Sequence, residues 1–148
     1  MRPSPSPVER IPLPTDAAGL PSLGSDADQA LADGLREMAI ELSPAVLEAI
    51  DAHARLLAAW GRHVNLTAIR EPVDVMRLHV LDSLSAATPI RARMVDVRSV
   101  VDVGSGGGYP GVPLGLAVGA GLVSLVESVG RKARFLEVVG AEVSASLA

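Results

Sequence analysis

Apolar side chains recur at helical spacing at Val46, Ile50, Leu57 and Trp60, with His53 on the same side. Ser43-Pro44 precedes this stripe. Serine accepts a hydrogen bond from the first turn, and proline fits the first helical position because its missing N–H has no partner there. Gly61 is the expected stop. A second helix is predicted from Glu71-Pro72 to about Ala87, with Met76, Val80 and Leu84 as its buried stripe. The pattern then changes. Ser99-Val100-Val101-Asp102-Val103 is a short β-branched run, read as a buried strand, and it empties into a glycine-rich stretch. A helix over Pro113–Val118, a second strand over Leu122–Val126 ending at Glu127, and a third helix from Arg131 to about Ser146 follow. Phe135, Leu136, Val139 and Val143 form the inner side of that last helix.

Strand, glycine loop, helix, strand, acid, helix is the opening of a doubly wound α/β sheet. The predicted architecture is therefore α/β, a helical N-terminal cap followed by the first part of a Rossmann-like sheet. Residues 1–34, rich in proline, serine and glycine without a sustained apolar period, are expected to be a disordered leader, with a weak helix beginning near Asp28. Residues 35–95 form the cap and 96–148 the sheet domain. Val103 to Val126 lacks charge, but its glycines and prolines break it, so it is not read as a membrane span.

Composition narrows the chemistry further. The 148 residues carry a formal net charge of −4 and no cysteine. Disulfides and thiolate metal sites are thereby excluded, and any nucleic-acid contact must come from a local basic patch. The three histidines are too scattered to suggest a metal centre.

Gly104-Ser105-Gly106-Gly107-Gly108-Tyr109-Pro110-Gly111 is the chemically informative stretch. A strand that turns directly into a helix needs residues without Cβ, and the helix start offers free N–H groups to an anionic ligand. Glu127 lies 23 residues after Gly104, where an acid accepts hydrogen bonds from ribose hydroxyls. Both a nicotinamide dinucleotide and S-adenosylmethionine carry such a ribose, so the spacing points to an adenosine-ribose cofactor and leaves the two open.

The run Val101–Leu114, with Pro-Gly-x-Pro-Leu after the glycines, resembles the cofactor loop of the bacterial 16S ribosomal RNA guanine-N7 methyltransferases, also called glucose-inhibited division protein B. Further blocks agree in order: Trp60 with Asn65-Leu66-Thr67, then Arg70-Glu71-Pro72, then His79-x-Leu81-Asp82-Ser83. Glu127-Ser128 and Arg131-Lys132-x-Arg134-Phe135-Leu136 fit as well, so that the likeness covers roughly residues 45 to 143. The resemblance implies S-adenosylmethionine as cofactor, with 16S ribosomal RNA or the small subunit as partner. It further implies a cytoplasmic monomer without metal or membrane association.

By the same resemblance, Gly104, Gly106 and Tyr109 border the methionine half of the cofactor, and Ser105 belongs to the cofactor-binding set. Asp102 helps hold the loop or reaches the methionine amino group through water, Glu127 takes the ribose hydroxyls and Ser128 flanks the adenine. Arg131, Lys132 and Arg134 are expected to meet RNA phosphates, with Arg70 and Arg77 extending that surface. His79, Asp82 and Ser83 share one helix side, where they either face the cofactor or fasten the cap, and no residue is singled out as catalytic. Family members continue for several more strands, which makes a shortened, inactive methyltransferase the alternative expectation. An oxidoreductase of the dinucleotide type is the more distant one.

Overall fold

The structure, a computed structural model, describes residues 12–94 and 96–147. The cap begins with α1 (Ser25–Glu37) and α2 (Pro44–Trp60). A helical run follows, made of α3 (Pro72–Val75), a wide π turn (Met76–Leu81), α4 (Asp82–Ser85) and α5 (Ala87–Arg93). The α/β part is β1 (Ser99–Val103), α6 (Gly111–Val118), β2 (Leu122–Val126) and α7 (Gly130–Leu147). The strands are parallel, with Ser99 opposite Leu122 and Val103 opposite Val126.

Ser43 caps α2 as the sequence predicts, its Oγ accepting from Val46 N at 3.3 Å. Gly61 closes that helix as expected, though in a right-handed conformation; its φ is −60°, and its N–H donates to Leu57 O at 2.8 Å. One apolar core then spans cap and sheet domain. α2 packs on α7, with Ile50, Leu57, Trp60, Phe135 and Val139 all buried in that core, and the Trp60 and Phe135 rings lie 5.5 Å apart. Burying a side chain the size of Phe135 contributes about 3 kcal/mol. The change of pattern near residue 95 therefore marks a change of element type, not a break in the core.

Two expectations need correction. The leader extends too far in the sequence reading, because α1 starts at Ser25 and residues 12–24 are tied to α2. Trp60 Nε1 donates to Pro14 O at 2.9 Å, and Arg55 Nη1 donates to the carbonyls of Ala17 and Leu20 at 3.2 Å each. Those partners lie dozens of residues away, where local composition carries no sign of them. The part of that expectation on residues 1–11 lies outside the described residues. Neither is β1 buried on both sides. Val100 and Asp102 face α6, whereas Val101 and Val103 are 63 % and 79 % exposed, because no described element covers that face.

On the covered face, α6 sits unusually close to the sheet. A Cβ at Gly111 would meet Asp102 Oδ2 at 2.6 Å, and one at Gly115 would overlap Val123 Cγ2. Small residues one helical turn apart thus let the helix backbone approach β1 and β2. Helix propensity alone favours Gly115→Ala by about 1 kcal/mol. Overpacking against the stiff valine costs about 1–3 kcal/mol and is expected to win. A lower denaturation midpoint for G115A, restored by Val123→Ala in the same chain, is the expected result; a stabilised G115A would show that the helix can simply move away.

Candidate functional site

The loop from Gly104 to Pro110 carries the chain off the end of β1 into α6. Gly104, Gly106 and Gly108 have φ of +80°, +52° and +87°, a region that side-chain-bearing residues rarely enter. The turn is held from below. Gly104 N and Ser105 N both donate to Val126 O, at 2.8 and 3.1 Å, and Ser105 Oγ donates to Asp102 O at 2.9 Å. Asp102 Oδ2 accepts from Gly111 N at 3.0 Å, placing a carboxylate at the positive end of α6. From the end of β2, Glu127 reaches back: Oε2 accepts from Gly106 N at 2.9 Å and Oε1 from Val129 N at 2.8 Å. The Val129 and Gly106 N–H groups hold the Glu127 carboxyl below its usual range.

The cap holds the loop from the other side. His53 of α2, completely buried, lies 2.7 Å from Gly107 O through Nε2. A carbonyl only accepts, so Nε2 carries the proton. The Tyr109 ring is stacked between two imidazoles, 4.4 Å from His53 and 4.9 Å from His79. His79, on the π turn, meets Thr67 Oγ1 at 2.8 Å, and Ser83 Oγ donates to the His79 carbonyl at 2.5 Å. Burial pushes the His53 imidazole down to about 4; His79 is lowered for the same reason, opposed by Asp82. Burial raises the Tyr109 hydroxyl, which has no hydrogen-bond partner among the described residues.

The structure brings Asp102, Gly104, Ser105, Gly106, Tyr109 and Glu127 together around one turn. The Ser105 side chain and the Tyr109 ring are committed to internal contacts, so what they offer outward is backbone. Ser128 is exposed beside Glu127. Arg131, Lys132 and Arg134 lie at the start of α7, where Arg134 is paired with Glu137 at 2.6 Å. Arg70 Nη1 donates to Gly61 O at 2.7 Å. Thr67, in the loop after α2, accepts from Ile69 N at 3.0 Å and joins that loop to the π turn through His79. The His53–Tyr109 pairing escaped the sequence reading, although His53 on the apolar side of its helix was the available signal. Among the described residues no group of three or more His, Asp or Glu is placed to hold a metal, and no helix is long and apolar enough to cross a membrane.

Two measurements check this geometry. Free histidine protonates near 6.5, whereas native His53 stays neutral to about 4. Between these values the unfolded chain binds the extra proton, so stability falls as pH is lowered, by about 3 kcal/mol across the window. Denaturant melts between pH 7 and pH 5 are expected to show that slope, reduced in His53→Gln; an unchanged slope in the variant would place the proton elsewhere. Tyr109→Phe keeps the stack and removes the unpaired hydroxyl, with an expected gain of about 1 kcal/mol. A lower melting temperature for that variant would mean that the hydroxyl has a bonded partner, such as water.

The family described as rRNA small subunit methyltransferase G matches residues 46–147. The chain is 41% identical over 107 residues to Ribosomal RNA small subunit methyltransferase G of Pseudomonas syringae pv. syringae (strain B728a), covering 72% of this chain and 48% of the relative. It is 37% identical over 115 residues to the protein of that name from Methylibium petroleiphilum, covering 77% and 52%. Against the one from Anaeromyxobacter sp. (strain Fw109-5) it is 41% identical over 113 residues, covering 76% and 51%. The chain spans about half the length of these curated relatives. With its α/β turn, its glycine loop and its acid at the end of β2, the chain belongs to the rRNA small subunit methyltransferase G family.

Proposed function

We propose that the glycine loop binds S-adenosylmethionine and that the reaction served is methyl transfer to N7 of a guanine in 16S ribosomal RNA of the small subunit. The observation that carries the cofactor assignment is the joint placement of Gly104, Gly106 and Glu127. A Cβ at Gly104 would meet nothing within 4 Å, so the backbone there faces open space. The Glu127 carboxylate borders it, and two backbone N–H bonds leave acceptor positions available for a ribose diol. These residues fit the cofactor. Gly104 and Gly106 present backbone to its amino-acid half, Asp102 fixes the helix start beneath, and Ser128 flanks the base. Ser105 and Tyr109 contribute through the main chain they hold in place.

When bound, the cofactor supplies a methyl group on a positively charged sulfur. Guanine N7 has an exposed lone pair, so no general base is required, and alignment is the main contribution of the protein. Arg131 and Lys132, which make no ion pair among the described residues, are assigned to RNA phosphates; Arg134 adds less because Glu137 neutralises it. A cytoplasmic setting and a monomeric state complete the proposal.

Calorimetric titration of the 148-residue chain with S-adenosylmethionine tests the cofactor assignment. One-to-one binding, abolished by Gly104→Val, is expected, because valine at φ +80° is strained and fills the open side of the loop. Binding of NADH in place of S-adenosylmethionine would overturn it. For the RNA assignment, Arg131→Glu with Lys132→Glu is expected to weaken 16S RNA binding and flatten its salt dependence by roughly two counterions. An unchanged salt slope would move the RNA surface elsewhere.

A further inference from the structure

The loop is held beneath by the strands and from the side by one buried imidazole of the cap. Gly107 O has its hydrogen bond from His53 Nε2 at 2.7 Å, across 54 residues of sequence. The same ring stacks on Tyr109 with an interplanar angle of 13°, and it abuts Gly108 so closely that a Cβ there would lie 2.9 Å from Nε2. His53 therefore touches three consecutive loop residues by a hydrogen bond, a van der Waals contact and a ring stack. Simple core filling would need only an apolar ring. A buried imidazole with Nδ1 lacking a partner among the described residues is costly unless its other nitrogen does something specific.

We propose that His53 is a positioning residue of the cofactor loop, setting the Gly107–Tyr109 backbone from the cap so that the neighbouring Gly104–Gly106 surface has the shape the ligand meets. This rests on the cofactor assignment above for its consequence, though not for its geometry. His79 completes the arrangement by closing the other face of Tyr109, and Thr67 orients His79. The cap is thereby a direct determinant of cofactor affinity, although none of its side chains needs to touch the cofactor.

Two substitutions separate the ring from the donor in the full chain. His53→Gln retains an N–H at about the reach of Nε2 and loses the ring, while His53→Phe retains the ring and loses the N–H. Amide hydrogen exchange of Gly108 and Val112 is read first without ligand, since their N–H groups donate to Ser105 O and Gly108 O. Exchange at Val139, deep in the core, serves as the global reference. His53→Phe is expected to speed exchange at Gly108 roughly tenfold relative to Val139, the effect of about one lost hydrogen bond. Affinity for S-adenosylhomocysteine is expected to weaken by a similar factor, and His53→Gln to recover most of both. Unaltered Gly108 exchange in His53→Phe would overturn the proposal. So would equal losses in the two variants that track Val139, since that is the signature of a packing role alone. If the unaltered chain takes up no S-adenosylhomocysteine, the cofactor assignment falls, and the exchange comparison alone decides whether His53 sets the loop.

Discussion

Gly104 to Pro110 must leave one side of the backbone open while the polar groups on the other side find partners, and that requirement organises the molecule. The partners come from three parts of the fold. Val126 O and Glu127 supply acceptors from β2, Asp102 from β1, and His53 a donor from α2. For these groups to converge, β2 must lie parallel to β1 in one register, and α2 must be packed against the sheet domain through α7. The Trp60–Phe135 contact and the glycine-lined approach of α6 are the means.

Patterns that are local in the chain were legible before the structure. Both strands fall where the β-branched runs place them, and α2 begins at Ser43-Pro44 because cap and helix start are adjacent in sequence. The Met76, Val80 and Leu84 stripe is buried as expected. What was not legible depends on distant partners. Residues 12–24 read as leader because their anchors, Arg55 and Trp60, lie elsewhere. The π turn around His79 leaves no mark in an apolar period of four, and the run continues past Ala87 into α5. Exposure of Val101 and Val103 is set by what stands over the sheet, about which a run of valines says nothing.

The candidate site divides along the same line. Glycine spacing and the acid at the end of β2 mark a candidate ligand loop from sequence alone, since the elements concerned are consecutive. The residues that fix its shape from the cap do not belong to the motif. Tyr109 shows the difference: by resemblance it borders a ligand, yet its ring is turned inward between His53 and His79. A position inside a glycine motif can thus hold the loop's backbone by turning its side chain into the core.

Trp60 is the only tryptophan in the chain, and its indole N–H is bonded to Pro14 O while its ring packs at a tilt against Phe135. One intrinsic fluorophore therefore sits where the strap of residues 12–24, the cap and the last helix join. Detachment of the strap exposes the indole nitrogen to water, and separation of α7 removes the ring beside it. Emission from a single side chain consequently reports on the assembly of three parts of the fold, without any label.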